Sequence, residues 1–346
     1  MSRNLIILFI GLITIIAAGC SSKGKESLDP PQEVTNIKEE FENGEVGTEQ
    51  EDEKTRLTEL YLIDKNGLVV SQTLPLPQTE GTAKQALEYL VEDGLVTDLL
   101  PNGFKAVLPA GTTVDVDIQD GKAIADFSSE FAQYAKEDEA KILQSITWTL
   151  TQFDSIETVE IRMNGYELTE MPVNGLPINE NGASRKDGIN TSVSASIDIT
   201  NTRPLTVYYL SQAGDNYYYV PITKRVSNEI QDDVMAAVDE LINGPSVHSG
   251  MMSAFELTEN LQLISEPERD EEGKVTLNFN ESIYAGNHQN VIANEVLQSL
   301  VLTVTEQPSI DSVAIMVNGE ATLMNEEGEP LTAPVSRPEK INRVSF

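Results

Sequence analysis

Apolar and polar residues alternate along this chain in short runs whose period switches between that of a strand and that of a helix. Leu57–Ile63 and Leu68–Leu74 are rich in apolar residues, and Asn66-Gly67 stands between them, which predicts two strands joined by a tight hairpin. Ala83, Ala86, Leu87, Leu90 and Val91 then share one helical face, with Thr82 placed to cap it. Val114, Val116 and Ile118 alternate with Asp115 and Asp117, and Asp120-Gly121 turns the chain into Ala123–Phe127, a second hairpin. From Glu137 to Phe153 the helical period returns through Ile142, Leu143, Ile146, Leu150 and Phe153. Thr158–Met163 predicts a closing strand before Asn164-Gly165.

The same order then recurs. Ile142–Gly165 lies over Val296–Gly319 without a gap, and 11 of the 24 positions are identical, where unrelated segments share about one or two. Upstream, Thr58–Asp64 answers Leu205–Gln212, and Thr82–Gly94 answers Asp232–Pro245. Downstream, Ser184-Arg185 pairs with Ser336-Arg337 and Ile189-Asn190 with Ile341-Asn342. The second copy predicts helices over Asp232–Ile242 and Asn290–Thr305 and strands over Lys274–Phe279 and Ser312–Val317. Each copy spans roughly 130 to 140 residues, enough for a core of its own. The fold class is α+β: two tandem homologous domains, each a small mixed sheet with two helices on one face plus a β-hairpin insertion. The boundaries are a signal segment at 1–19, a flexible acidic tether at 20–56, domains at 57–190 and 204–346, and a linker at 191–203. Within that linker Val193, Ala195, Ile197 and Ile199 alternate, the pattern of an edge strand.

At the N-terminus Arg3, the apolar stretch Leu5–Ile16 and Ala17-Ala18-Gly19 precede Cys20. The apolar stretch is shorter than the roughly 20 residues of a membrane span. It resembles a bacterial lipoprotein signal, with Ala17 where leucine is commonest. The resemblance implies cleavage before Cys20 and lipidation of its thiol by a diacylglycerol with chains such as palmitate, and two chains anchor stably. Cys20 is also the single cysteine, so no intramolecular disulfide, thiolate metal cluster or cysteine nucleophile can form. Ser21–Arg56 is too polar to order itself by burial. As a coil it holds the domains roughly 35 Å from the lipid.

The chain carries 23 Lys and Arg against 56 Asp and Glu, a net charge of −33. Such acidity argues against nucleic-acid and anionic-lipid binding, both of which need clustered cations.

In the first copy Leu108-Pro109-Ala110-Gly111-Thr112, Asp120-Gly121 and Asp126-Phe127-Ser128 precede the long helix and the strand ending in Asn164-Gly165. This order resembles the GerMN domain, and a lipoprotein signal followed by two such domains resembles the tandem GerMN lipoproteins of spore-forming Bacillota. The resemblance implies a domain like the ring-building motif of secretion systems. It also implies a membrane-anchored, non-enzymatic scaffold needed for sporulation and efficient germination, located between mother-cell and forespore membranes. The partners it implies are the membrane through Cys20, other proteins of the intermembrane complex, and further copies in a homo-oligomer, of which a ring is one form. The second copy departs from the pattern: it lacks the Leu-Pro-x-Gly-Thr element and has Asn278-Phe279-Asn280, so the two copies could face different partners.

Candidate chemistry is sparse. The two histidines, His248 and His288, both fall in the second copy without a nucleophile elbow, and surface or packing roles suit them. Asp115, Asp117 and Asp120 miss calcium-loop spacing and read as the wet face of a strand. Tyr208-Tyr209 and Tyr217-Tyr218-Tyr219 read as strand residues with alternate rings in the core, and Trp148 as core. The expectation is no catalytic residue, no metal and no cofactor, with Cys20 as the one site. The alternative function is an extracytoplasmic lipoprotein binding peptidoglycan or a small ligand, for which a cleft between the domains is the natural place.

Overall fold

Each copy opens with a hairpin. β1 (Thr55–Ile63) and β2 (Val69–Pro77) pair antiparallel, with Ile63 facing Val69. The turn is made by Asp64, whose Oδ1 accepts the N–H of Asn66 at 2.9 Å and of Leu68 at 2.8 Å. α1 (Thr82–Glu88) follows, then β3 (Val114–Gln119), β4 (Lys122–Phe127), α2 (Glu139–Leu150), β5 (Thr158–Met163) and β6 (Tyr166–Glu167). The last four strands form a sheet ordered β3-β4-β5-β6, in which β4 and β5 are parallel and the outer pairs antiparallel. The second copy repeats the plan with the hairpin β7 (Thr202–Ala213) and β8 (Asn216–Ser227), then α3 (Asp233–Asn243), β9 (Glu268–Arg269), β10 (Lys274–Phe279), α4 (Asn294–Thr305), β11 (Ser312–Val317) and β12 (Val335–Ser336). Its sheet runs β12-β11-β10-β9, again with a parallel central pair.

This computed structural model describes residues 54–191 and 201–342, except 215, 247, 248, 257, 259 and 287–289, and all of them lie within one compact unit, Glu51–Phe346. The alternating residues of the linker, Val193 to Ile199, therefore lie outside the described residues. Among the described residues no helix is long and apolar enough to cross a membrane.

The core of each copy sits where helices meet sheet. Ala123, Ala125 and Phe127 of β4 and Val159 and Ile161 of β5 bury one sheet face against Ile142, Ile146 and Leu150 of α2. Leu60, Leu62, Leu74 and Leu76 of the hairpin close the same core. Each such fully buried leucine is worth about 1.5–3 kcal/mol relative to exposure. The hairpin thus forms a layer of its own against the helices, opposite the mixed sheet. α2 and α4 are covered along most of their circumference, which explains their apolar residues off the main stripe.

Several boundaries differ from expectation. β1 begins at Thr55 within the expected tether, and β7 at Thr202 within the expected linker; the ladder partners Pro77 and Ser227 carry both strands outward, so backbone pairing sets their ends. Thr82 is not a cap. It is the first helical residue, after Gly81, and no side chain caps that end. α2 starts at Glu139 because Lys136–Asp138 makes a separate tight turn. α4 starts at Asn294, and Asn290, at φ +69°, cannot belong to it. α3 is capped by Asp232, whose Oδ1 accepts from Met235 N at 2.9 Å.

Candidate functional site

The repeated tail residues Ile189-Asn190 and Ile341-Asn342 come together in one place, the joint between the copies. Mid-helix hydroxyls clasp the first strand of each hairpin. Ser145 of α2 donates to Tyr61 O, while Thr149 Oγ1 accepts from Tyr61 N at 3.1 Å. In the second copy Ser299 donates to Tyr208 O, and Thr303 Oγ1 accepts from Tyr208 N at 2.9 Å. The repeated Ser and Thr thus satisfy edge-strand groups that would otherwise be buried unpaired.

β2 and β8 lie side by side, and the tail of each copy crosses to the other. Ile189 N donates to Thr223 Oγ1 at 2.8 Å and Thr223 N to Ile189 O at 2.8 Å. Reciprocally, Ile341 N donates to Thr73 Oγ1 at 2.9 Å and Thr73 N to Ile341 O at 3.2 Å. Asn190 next to it receives Val69 N at 2.8 Å and donates Nδ2 to Val69 O at 2.7 Å and to Pro221 O at 2.9 Å. Asn342 receives Tyr219 N at 2.6 Å and donates to Tyr219 O at 2.7 Å and Ser71 O at 2.9 Å. Both asparagines hold positive φ, +49° and +56°, which asparagine tolerates better than most residues. The exchange is reciprocal, as across a two-fold axis.

At the centre of the joint lies a buried charge cluster. Arg185 stacks its guanidinium 4.4 Å from the Trp148 ring and donates to Glu306 Oε1 at 2.7 Å. Arg337 approaches Glu306 Oε2 at 3.2 Å and donates to the Tyr208 hydroxyl at 2.8 Å. That hydroxyl donates in turn to Glu306 Oε2 at 2.9 Å. Burial pushes the Glu306 carboxyl up, but Arg185 and Arg337 outweigh it and hold the group below the usual carboxylate range. Burial pushes the Tyr61 and Tyr208 phenols up. Both arginines stay charged and Glu306 ionised, so the cluster holds the copies together and has no group poised to move a proton. A second contact reinforces it: Tyr218 donates to Asp64 Oδ2 at 2.7 Å and stacks edge-on against Phe104 at 5.3 Å.

A family model described as Germane, sporulation and spore germination, matches residues 59–169 and 206–322. The chain belongs to the Germane family. It is 52% identical over 353 residues to the spore germination protein GerM of Bacillus subtilis strain 168, covering 96% of this chain and 95% of that protein. It is also similar to the solved tandem GerMN domains of the sporulation protein GerM from Bacillus subtilis, with a TM-score of 0.79 and 57% identity over 83% of this chain and all of the other. The Germane match falls on both copies, and the family is described by a process and not by a reaction.

The change from Asp126-Phe127-Ser128 to Asn278-Phe279-Asn280 between the two Germane copies turns out to be chemically conservative. Asp126 Oδ1 accepts Gly165 N at 2.9 Å, and Asn278 Oδ1 accepts Gly319 N at the same distance. Ser128 Oγ accepts Thr113 N at 3.1 Å, and Asn280 Oδ1 accepts Gln262 N at 3.3 Å. Asp115 is exposed and paired with Lys84 at 2.9 Å, and Asp117 bonds Gln119. Tyr208, Tyr209 and Tyr218 are all buried, because both faces of the hairpin are covered, while Tyr217 is half-exposed. Trp148 is buried, but against Tyr61, Ile189 and Arg185 at the joint. Cys20, His248 and His288 lie outside the described residues. The role of the paired Arg185 and Arg337 escaped sequence reasoning although their repetition was visible. Glu306 had no signal, since Gln152 stands opposite it in the repeat.

Proposed function

We propose that this chain is a lipid-anchored, non-enzymatic assembly protein of sporulation and spore germination. Lipid on Cys20 holds it to the extracytoplasmic face of the membrane, in the space between mother cell and forespore. There it contributes a rigid two-copy subunit to the intermembrane complex, packing side by side with further copies and with other proteins into a ring. The observation that carries the reading is the joint: the tail pairs Ile189-Asn190 and Ile341-Asn342, repeated in both copies, each bond to the other copy. A two-domain part of fixed geometry suits a repeating assembly, where a loose pair would blur the subunit contacts. The membership in the Germane family supplies the process.

The test is the yield of heat-resistant spores from a strain lacking the protein, complemented with wild type or Cys20→Ala. A large defect restored by wild type and not by Cys20→Ala is expected. Normal spores without the protein, or full rescue by Cys20→Ala, would contradict the role or the anchor respectively. Sedimentation velocity of the detergent-solubilised chain tests the oligomer, and a monomer at all concentrations would remove the ring.

A further inference from the structure

A cleft of about 600 Å³ opens between the copies beside the joint, lined by the outer face of α2 on one side and by β7, β8 and the chain after α3 on the other. Pockets of about 300–1,000 Å³ are the usual size for small ligands, and domain interfaces are a usual place for them. Leu68, Ile222 and Met251 give the lining an apolar part, and Gln144 and Ser246 offer both donors and acceptors. Among the described residues its charged lining is Lys141 and Lys224, Arg225, which is bonded to Thr202, and the acid Glu137. The whole chain has the opposite balance, 23 basic to 56 acidic residues.

Two of these cations are held in place and keep donors to spare. Lys141 gives one bond to Asp138 at 2.8 Å, and about 30% of its side chain remains exposed. Lys224 pairs with Glu240 and donates to the Tyr209 hydroxyl at 3.3 Å, which leaves one of its three donors, with 27% exposure. An ammonium has three donors, so each can bind a further carboxylate without leaving its partner.

The duplication supplies an internal control. The helix clasp makes Tyr61 equivalent to Tyr208 and Ser145 equivalent to Ser299, and Tyr61 faces Ser71 as Tyr208 faces Pro221. By that correspondence the counterparts of Lys141, Lys224 and Arg225 across the two-fold are Glu295, Leu74 and Pro75. The joint forms on that side with no cation at those three positions, so it does not demand one at them.

We propose that this cleft binds a short anionic peptide, its carboxylates on Lys141 and Lys224, its backbone amides on the polar lining and its apolar groups on Leu68, Ile222 and Met251. The chain's overall negative charge does not forbid this, because at physiological salt it is screened beyond about 8 Å. The site goes beyond the assembly role and does not depend on it.

The test is fluorescence anisotropy with the full chain in detergent and three labelled tripeptides. One is the wall-type L-Ala-γ-D-Glu-diaminopimelate, one the α-linked Ala-Glu-Glu, and one the uncharged Ala-Gln-Gln. Saturable binding of at least one anionic probe is expected, about tenfold or more tighter than the uncharged one, and weakening as salt rises. The preferred anionic probe identifies the source, wall peptide or protein segment. Lys141→Gln should weaken binding about tenfold. Ala140→Trp, at an exposed position on the cleft wall, should abolish it while leaving the melting temperature unchanged. No saturable binding of either anionic probe, equal binding of the uncharged one, or binding untouched by both variants would overturn the proposal.

Discussion

Glu306→Gln puts the same side chain at the centre of the joint as Gln152 has in the first copy, and it removes a negative charge that both Arg185 and Arg337 face. The Glu306 side chain is 8% exposed, takes bonds from Arg185 and the Tyr208 hydroxyl, and is ion-paired with Arg337. Breaking a buried ion pair costs about 3–5 kcal/mol, because the remaining charge stays desolvated. Glutamine keeps one acceptor oxygen, which places the expected loss at the lower end, about 3 kcal/mol. Unfolding entropy of about 2.1 cal/mol/K per residue over roughly 290 residues gives about 0.6 kcal/mol/K, so the melting temperature should fall by about 5 °C at pH 7. The Glu306 carboxyl is held below its ordinary range in the fold. A depressed acid contributes stability that is complete above its unfolded pKa, about 4.3, and is lost as pH falls through the folded value. The gap between wild type and variant should therefore be full at pH 6–7 and close in acid below about pH 4. Circular dichroism melts of both proteins across pH measure it. A variant within 1 °C of wild type at pH 7, or a gap that persists unchanged in acid, would refute the reasoning.

Further expectations concern other parts of the same framework. Glu139 is buried and accepts N–H groups of Val173, Asn174 and Leu176 together with the Tyr134 hydroxyl; Glu139→Gln should cost about 2 kcal/mol and accelerate hydrogen exchange of those three amides, and unchanged exchange would count against it. Asn190→Ala loses three bonds and places alanine at positive φ, so a loss of about 3 kcal/mol is expected in denaturant melts. Combining it with Asn342→Ala should give a non-additive total, since both bridge the same two strands, and strict additivity would separate the two contacts. Gly188 has φ +85° and an added Cβ would sit 3.0 Å from Thr223 Cγ2, so Gly188→Ala should cost about 1–3 kcal/mol, read by the shift of the urea midpoint.

The parts legible in the sequence were those that speak through periodicity or turn chemistry. Asn66-Gly67 and Asp120-Gly121 marked their hairpins, and the gapless repeat at Ile142 and Val296 announced the second copy. Helix ends were less legible, because the Lys136–Asp138 turn and the backbone at Asn290 leave no apolar period to read. The joint was hidden for another reason. Arg185 and Ile189-Asn190 lie in a tail without regular period and act by bonds to the other copy. Their recurrence as Ser336-Arg337 and Ile341-Asn342 was visible, but recurrence alone does not say whether a residue serves its own domain or the neighbouring one. The motif change from Asp126 to Asn278 looked like a functional divergence. It keeps the same acceptor on the same turn, so the side-chain oxygen, and not the charge, is what that position requires. The cleft cations were invisible for want of the correspondence that sets Lys224 against Leu74.

The central claim is that the two copies form one mechanical unit through the exchanged tails and the shared Glu306. Differential scanning calorimetry of the chain tests it most directly. The account predicts a single unfolding transition whose calorimetric and van 't Hoff enthalpies agree, as for one cooperative body. Two separate transitions, or a calorimetric enthalpy about twice the van 't Hoff value, would show the copies unfolding independently and contradict it.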